Sequence, residues 1–195
     1  MPAMQGRRWT RADVEALIRD NPDQTPRFEL VDGELFVTPS PGVLHQLAVG
    51  ELLIALNAYV RRTRVGVAIT SPSDVRLEPE SYVQPDVYVV SYDEGKQIRK
   101  TNRSEALVLA VEVVSPGSAR GDRGSKRELY QRYVPEYWVV DVDARLIERW
   151  RPGDERPLIA LDKLEWRPAG ATVPLVLELR PFFERVYGED ELAPE

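Results

Sequence analysis

The amino-acid sequence predicts an α/β protein in which helices flank a mixed β-sheet, and in which a helix and a β-hairpin precede the core. Three observations favour this class. Asp32-Gly33 is a strong hairpin turn, apolar residues at helical spacing cover about 43–62, and the apolar run LVLAVEVV at 107–114 is typical of a strand covered on both faces. A helical segment follows that strand, so helices and strands are mixed along the chain.

The first third of the chain is predicted to contain a helix, a hairpin and a long helix. Thr10, three residues before Asp13, is a helix-start signal, and apolar residues continue from there at helical spacing. RFELVDGELFV, residues 27–37, predicts the hairpin. The long helix is expected from about Val43 to Arg62. Its apolar repeat consists of Leu44, Leu47, Ala48, Leu52, Ala55, Leu56 and Tyr59.

The remaining elements alternate between strands and helices. We expect strands at 65–77 and 83–91, a polar loop at 93–105, the buried strand at 107–114 and a helix at 125–134. Ser125 and Glu128 are a candidate capping box for that helix, with Asp122 as the competing cap. Strands at 136–142 and 145–151, one or two further strands within 157–180, and a helix at 181–188 complete the prediction.

Composition sets limits on the class of protein. The 195 residues predict one domain over 1–195, with its core at about 27–150 and an acidic tail at 189–195. The absence of cysteine excludes disulfides and thiolate zinc sites. We expect a cytoplasmic protein, because no apolar run approaches the roughly 18 residues that a membrane span needs. The net charge of −6 argues against a simple nucleic-acid coat but not against an enzyme with a local basic patch.

Glu112 is the residue that does not fit its surroundings. It lies inside the apolar run, and by the two-residue period of a strand it shares a face with Val108, Ala110 and Val114. An unpaired buried carboxylate is very costly, so Glu112 must be protonated, paired or bound to a metal. The alternative is an ordinary ion pair with a helix residue, or a strand end that reaches solvent.

Lys126 is the predicted partner of Glu112. Glu112 lies about 7 Å below the end of its strand, and Lys126 lies a similar distance into the helix that follows. Asp122, Lys126 and Tyr130 are spaced at i, i+4 and i+8, which places them on one polar face of that helix. The alternative is a solvated surface lysine, which is the commoner role of a helical lysine.

Three further residues complete a candidate site. Asp86 follows Pro85 at the start of a strand, Glu29 lies in the first strand of the hairpin, and His45 is the only histidine. Taken singly, these could be a turn residue, a surface acid and a packed core histidine. Together with Glu112 and Lys126 they predict a site of hard oxygen ligands, which suits Mg²⁺ or Mn²⁺ better than zinc.

At these residues the chain resembles a known family. The segments ELVDGE, PSPGVLHQ, QPDVYVV, VEVVSPGSARGDRGSKRELY and VPEYWVVD follow the order of blocks in the small bacterial "putative restriction endonuclease" family of the PD-(D/E)XK superfamily. The resemblance covers roughly residues 27–150 and implies a restriction-endonuclease-like core. Pro85-Asp86 matches the PD pair, and Glu112 matches the second acid.

One position departs from the superfamily's simplest pattern. Val114 stands where a lysine is expected, and in this family Lys126 on the following helix takes that place. Glu29 and His45 match the family's additional acidic and histidine positions. Tyr133 stands where the family often has glycine before VPEYW.

The resemblance implies a metal-dependent endonuclease that hydrolyses phosphodiester bonds, with DNA as the expected substrate. Asp86, Glu112 and Glu29 would hold Mg²⁺ or Mn²⁺, Lys126 would orient a water or stabilise the transition state, and His45 would contact phosphate or assist proton transfer. A homodimer is expected because two sites would cut two strands. The alternative is an inactive nucleic-acid-binding or assembly protein, and a carboxylate glycosidase is a weaker third hypothesis that gives Lys126 no role.

Three groups of basic residues are candidates for phosphate contacts. Arg61, Arg62 and Arg64 form the first, and Lys96, Arg99, Lys100 and Arg103 form the second. Because the third group flanks Lys126, we predict that it binds substrate together with Tyr130. That group consists of Arg120, Arg123 and Arg127. Such clusters are more often solvated surface.

Overall fold

The computed structural model describes residues 8–21, 26–101, 104, 106–114 and 118–189. The helices in this part of the chain are α1 (Arg11–Asp20), α2 (Val43–Thr63), α3 (Tyr92–Thr101), α4 (Ala119–Asp122), α5 (Ser125–Tyr133) and α6 (Leu179–Tyr187). The strands are β1 (Arg27–Val31), β2 (Glu34–Thr38), β3 (Val67–Thr70), β4 (Val87–Val90), β5 (Leu109–Val114), β6 (Tyr137–Asp141), β7 (Leu146–Trp150), β8 (Leu158–Ala160), β9 (Lys163–Trp166) and β10 (Leu175–Glu178).

A six-stranded sheet forms the centre of the molecule. Its order is β3-β4-β5-β6-β7-β8, and β5 and β6 are parallel whereas the other neighbours are antiparallel. A parallel pair needs a crossover connection, and here α4 and α5 supply it. Two separate two-stranded sheets, β1-β2 and β9-β10, stand beside the main sheet. The predicted mixed sheet flanked by helices is confirmed.

The N-terminal helix and hairpin form by the local signals expected. The Thr10 hydroxyl accepts a hydrogen bond from the Asp13 amide, and the Asp13 carboxylate accepts one from the Thr10 amide, which is a complete capping box. The hairpin turns at Asp32 and Gly33, which have φ values of 50° and 80°. Positive φ at both turn positions is the geometry that an Asp-Gly pair favours.

The central strands are buried because helices cover both faces. In β4, Val87 and Val89 face the cluster that α2 and α6 cover, whereas Tyr88 and Val90 face the cluster that α5 covers. In β5, Ala110 and Val114 face α5, and Glu112 lies between them. The expectation that Val108 shares this face is wrong: Val108 precedes β5, outside the regular pleat, and packs with the opposite cluster.

Helix α2 is long and apolar enough to cross a membrane by length and composition alone. The residues on its inner face nevertheless pack in the core of this fold, where they contact the sheet and α6. They are Ala48, Leu52, Leu56, Tyr59 and Val60. Because a core helix passes the same test, the length of α2 is weak support for a membrane segment.

Several predicted elements differ from those observed. The loop predicted at 93–105 contains α3, because the Ser91 hydroxyl accepts a hydrogen bond from the Glu94 amide and caps that helix. The strand predicted at 65–77 is shortened to β3, and Pro72, which follows it closely, has no amide to continue the ladder. The region 157–180 contains three strands instead of one or two, and α6 begins at Leu179.

The predicted Ser125–Glu128 capping box is wrong. Gly124 occupies the cap position of α5 without a side-chain hydrogen bond, and the Ser125 hydroxyl donates to Glu34 instead. Asp122 is not the cap either, because it pairs with Lys126. The predicted strand end at 115–117, and residues 190–195 of the predicted acidic tail, lie outside the described residues.

Candidate active site

Two acids lie side by side at one end of the central sheet. Val87 of β4 pairs with Val111 of β5, so Asp86 and Glu112 are the next residues outward on adjacent antiparallel strands. Both side chains are buried, at 3% and 1% exposure. The strand register therefore brings together two carboxylates that are 26 positions apart in sequence.

Lys126 reaches Glu112 from the first turn of α5. Its Nζ lies 3.2 Å from Glu112 Oε1, 2.6 Å from Glu29 Oε2 and 3.2 Å from Asp122 Oδ1. Tyr130, one turn further along, donates a hydrogen bond of 3.0 Å to the same Glu112 oxygen. The proximity expected between Lys126 and Glu112 is therefore present, and one buried ammonium forms ion pairs with three carboxylates.

Asp86 is held by a separate set of donors. Its Oδ2 accepts a hydrogen bond of 2.9 Å from the Val113 amide and lies 3.1 Å from His45 Nε2. Its Oδ1 accepts one of 3.1 Å from Arg27. His45 stands in the first turn of α2 and Arg27 opens β1, so three elements fix the position of this carboxylate.

Glu29 links the two halves of the cluster. Its Oε1 accepts a hydrogen bond of 2.8 Å from the Gln84 amide, while its Oε2 pairs with Lys126 and lies 3.9 Å from Arg27 Nε. The side chain is fully buried beneath the first hairpin strand. The alternative that Glu29 is a surface acid is therefore wrong for this structure.

The cluster carries an excess of negative charge. In the described part of the chain, Glu29, Asp86, Glu112 and Asp122 face two cations, Arg27 and Lys126, which leaves a formal charge of −2 with His45 neutral. Burying unbalanced charge is costly, so the cluster is suited to the uptake of protons or of a cation.

The pKa values of the acids follow from these contacts. Burial raises the pKa of Glu112 well above its usual value, and the nearby acids add to this effect while Lys126 opposes it. Burial likewise raises the pKa of Asp122. Burial would also raise the pKa of Asp86, but the hydrogen bond from His45 and the charge of Arg27 outweigh it and set that pKa at about 2. Glu112 is therefore the acid that takes up a proton more readily than Asp86.

Lys126 stays charged in this environment. Burial would lower its pKa, but Glu112, Glu29 and Asp122 outweigh that effect and raise the pKa well above the usual value. A charged lysine that is 2% exposed is stable only because three carboxylates surround it.

A cavity of about 340 Å³ opens above Asp86 and Glu112. Its walls come from the segment between β2 and α2, the start of α2, and the turn after β3. The wall residues that carry polar side chains include Arg27, Ser40, His45, Gln46, Ser71 and Ser118. A ligand in this cavity would meet both acids and Arg27, so the arrangement can present carboxylates and cations to a charged substrate.

Most of the predicted substrate contacts are not supported by the placement of their side chains. Arg123 is held by Asp141 at 2.7 Å and Glu148 at 2.6 Å. Arg127 pairs with Glu128 at 2.9 Å and stacks on the ring of Trp150.

Tyr130 is fully buried behind Glu112, where a substrate in the cavity would not reach it. Arg120 is exposed and has no side-chain partner among the described residues, so it alone of the predicted contacts remains available to a phosphate.

Two members of the cluster were missed as site residues. Arg27 precedes Glu29 by two positions on the same face of β1, a signal that the alternation of strand side chains could have supplied. Asp122 was placed on the polar face of the helix with Lys126 but not recognised as a fourth acid. Its spacing of four residues before Lys126 was the available signal.

The cluster fits a hard divalent cation in charge and in donor type. Its formal charge of −2 and its carboxylate oxygens match what Mg²⁺ and Mn²⁺ require. Within the described residues, no group of three or more Asp, Glu or His side chains is already close enough to hold an ion. Asp86 and Glu112 would therefore have to turn from Arg27 and Lys126 toward the cavity.

The central mixed sheet flanked by helices, with paired acids and a lysine on the crossover helix, has the architecture of the restriction-endonuclease-like class of folds. The chain belongs to the Uma2 family, described as "Putative restriction endonuclease", whose model matches residues 12–181. A crystal structure of "a putative nuclease" from Anabaena variabilis ATCC 29413 has a similar fold, with a TM-score of 0.71 and 18% sequence identity over 83% of this chain and 92% of that chain. No curated protein matches the chain.

Proposed function

We propose that this protein is a metal-dependent endonuclease that hydrolyses phosphodiester bonds in DNA, with Mg²⁺ or Mn²⁺ as its cofactor. The observation that carries the proposal is that Asp86 and Glu112 line one cavity, while Lys126, buried behind them, places its Nζ 3.2 Å from Glu112. Membership of the Uma2 family supports the reaction class.

Each residue of the cluster has a role in this mechanism. Asp86 and Glu112 would hold the cation, with Glu29 as an additional ligand. The bound cation would screen the negative phosphodiester and lower the pKa of a water molecule. Lys126 would orient that water or stabilise the charge that develops on phosphate, because its ammonium is already aimed at Glu112.

His45 positions Asp86 and lies in the wall of the cavity. Its Nε2 contacts Asp86 Oδ2 at 3.1 Å, so the ring is fixed relative to the acid. The ring Nδ1 is buried and has no hydrogen-bond partner in the part of the chain that the structure describes. We propose that His45 assists proton transfer or contacts a phosphate oxygen once the substrate has entered.

A plasmid-nicking assay tests the proposed activity. The purified protein should convert supercoiled plasmid to nicked and linear forms in Mg²⁺ or Mn²⁺, and EDTA should stop the reaction. Glu112→Gln should abolish cleavage, whereas the matched control Glu165→Gln, an exposed acid paired with Lys163, should not. Cleavage that persists in EDTA and in Glu112→Gln would come from a contaminant and would contradict the proposal.

One observation favours the alternative of a nucleic-acid-binding protein without turnover. Arg27 and Lys126 already occupy the oxygens that a metal would need. If they are never displaced, the protein could bind nucleic acid and leave it intact. Binding of plasmid in EDTA, with no cleavage in any divalent metal, would support this alternative.

We further propose a cytoplasmic homodimer, in which two sites act on the two strands of a duplex. Sedimentation velocity should then give a mass near twice the 22.2 kDa of the chain. A monomer at all concentrations would mean that each encounter cuts one strand only.

A further inference from the structure

A second cleft lies at the far end of α2 from the candidate active site. Its volume is about 290 Å³, and it lies between the end of α2, the start of β3 and helix α3. The residues that line it are Asn57, Arg61, Gly66, Val67, Tyr92 and Arg99. None of these is acidic, which sets the cleft apart from the carboxylate cluster.

The cleft joins two of the basic groups that are distant in sequence. Arg61 donates to Asn57 Oδ1 at 3.0 Å, and Arg99 donates to the Gly95 carbonyl at 2.8 Å. Neither arginine is paired with a carboxylate among the described residues. Both are exposed, so their charges remain available to an anion from solvent.

Two neighbouring arginines add to the same positive surface. Arg62 and Arg64 are exposed on the last turn and C-cap of α2, and neither pairs with an acid in the described part of the chain. Lys96, in contrast, is neutralised by Asp93 at 2.9 Å. Arg103 lies outside the described residues, as does the side chain of Lys100. In a chain with a net charge of −6, such a local excess of positive charge attracts anions specifically to this end of the molecule.

Tyr92 gives the cleft an aromatic wall. Its side chain is 39% exposed at the start of α3. An exposed ring beside guanidinium groups is the arrangement that holds single-stranded nucleic acid, because bases stack on the ring while the cations bind the backbone.

Helix α2 and strand β3 connect this cleft to the cavity of the candidate active site. On α2, Gln46 lines the cavity and Asn57 lines the cleft. Eleven residues separate them, which is close to three full turns, so both lie on the same side of the helix about 16 Å apart. On the β3 side, Ser71 and Val67 are four residues apart, or about 13 Å. Both distances can be spanned by a few nucleotides of one strand, since each nucleotide adds at least about 3.4 Å.

We propose that the cleft between Arg61 and Arg99 binds a backbone phosphate of the nucleic-acid strand whose scissile phosphate lies at Asp86 and Glu112, and that Tyr92 stacks against a neighbouring base. The substrate strand then follows the seam between α2 and β3 from one contact to the other. This inference rests on the proposed nuclease function, from which it takes nucleic acid as the ligand. It adds a second place at which the protein contacts the strand.

Fluorescence anisotropy in EDTA tests the cleft without requiring cleavage. The probe is a fluorescein-labelled single strand of about 20 nucleotides. Arg61→Ala/Arg99→Ala should raise its Kd about tenfold, and should reduce the slope of log K against log salt by about 0.7 for each phosphate that the variant no longer binds. Tyr92→Ala should raise the Kd about fivefold or more.

Arg180→Ala is the matched control, because Arg180 is 87% exposed and lies on α6, where it pairs with Glu184. Its Kd and salt dependence should equal those of the wild type. Circular dichroism spectra should show that all the variants keep the fold.

The dependence on strand length distinguishes this cleft from general charge attraction. In the wild type, affinity should rise in a step at the length that first reaches from the cavity to the cleft, which single strands of about 4–16 nucleotides would locate. The step should disappear in Arg61→Ala/Arg99→Ala.

Wild-type affinity in that double variant, or a wild type that does not bind the strand of about 20 nucleotides, would overturn the inference. Failure of the proposed nuclease function would give a different result. The wild type would then bind in EDTA with the length step intact, yet no metal would produce cleavage.

Discussion

Lys126 is the residue on which the charge balance of the site depends. Its ammonium contacts three carboxylates and is 2% exposed. We expect Lys126→Met to abolish hydrolysis and to lower the free energy of unfolding by about 3 kcal/mol or more, because removing one partner leaves buried charge uncompensated. Urea denaturation at neutral pH measures the second effect.

Lys163→Met provides the comparison for Lys126→Met. Lys163 is 58% exposed and pairs with Glu165, so its removal should leave the free energy of unfolding close to that of the wild type. Equal stability of Lys126→Met and wild type would show that the three carboxylates do not depend on the ammonium, which would contradict the charge arrangement described above.

Arg27 competes with a cation for Asp86 and Glu29. It lies 3.1 Å from Asp86 and lines the cavity, and its removal changes the formal charge of the cluster from −2 to −3. We expect Arg27→Met to bind Mn²⁺ about fivefold more tightly than the wild type, since the added negative charge strengthens the attraction. Isothermal titration calorimetry gives this affinity independently of hydrolysis.

The conservative variant Arg27→Lys keeps the charge and should bind Mn²⁺ with an affinity near that of the wild type. Weaker Mn²⁺ binding by Arg27→Met would mean that Arg27 supports the carboxylates in a geometry that the ion needs.

At the scale of single residues, the sequence predicted site residues where a charged side chain lies in a segment that is otherwise typical of the core. Glu112 was found because a carboxylate interrupts an apolar strand, and Lys126 because strand and helix rise place it at the same depth. Arg27 was missed because an arginine at the start of an exposed-looking hairpin has no such conflict. Only the packing of β1 against Gln84 buries that face.

At the scale of elements, α4 approaches the hairpin too closely for a side chain at Gly121. A Cβ there would lie 2.8 Å from the ring of Phe36 on β2. We expect Gly121→Ala to lower the free energy of unfolding by about 1–3 kcal/mol, because either the ring or the helix must shift. Gly50→Ala is the matched variant within α2, where the added methyl meets open space.

Gly50→Ala should raise the free energy of unfolding by about 0.5–1 kcal/mol, because alanine is the better helix former. Thermal denaturation of the two variants measures both effects. A destabilised Gly50→Ala, or an unchanged Gly121→Ala, would contradict the packing described here.

Arg123 connects the end of α4 to β6 and β7 through Asp141 and Glu148. Burial would raise the pKa of Asp141, but the hydrogen bond from Arg123 outweighs it and the pKa lies below its usual value. Such a carboxylate stabilises the fold above its unfolded pKa, and this stabilisation is lost as the pH falls through the folded value.

We therefore expect Asp141→Asn to lower the free energy of unfolding by about 1 kcal/mol or less at neutral pH. This difference from the wild type should shrink as the pH falls below about 4. Urea titrations at several pH values measure the difference. If the difference in free energy of unfolding between Asp141→Asn and the wild type instead grew in acid, Asp141 would not be ionised in the native state.

Strong local patterns were sufficient to predict most elements, including α1, α2 and the hairpin. Helix α3 was missed because its sequence is polar, although Ser91 and Glu94 have the spacing of a helix start. The ion pairs of Arg123, near Lys126, were not foreseen for another reason. Its acidic partners Asp141 and Glu148 lie on strands whose positions only the tertiary fold determines.

At the scale of the whole molecule, a ligand that binds only the folded state must raise its stability. The carboxylate cluster forms only in the folded chain, because its members come from β1, the start of β4, β5, α4 and α5. If the cluster binds Mn²⁺, a concentration about tenfold above Kd should add about 1.4 kcal/mol to the free energy of unfolding.

Asp86→Asn should lose most of this stabilisation, and the same concentration of Na⁺ should not reproduce it in the wild type. Thermal denaturation with and without metal provides the measurement. An equal effect of Mn²⁺ on both proteins would place the ion outside the cluster.

In the central sheet, β5 and β6 pair in parallel, and α4 and α5 connect them. This connection also carries Lys126, which contacts Glu112. Parallel pairing forms late in folding, because distant segments must first meet. The lysine therefore reaches its place only when the crossover has docked and the sheet is complete. A nascent or misfolded copy would hold the acids of the cluster apart, so we expect that it would lack the proposed nuclease activity.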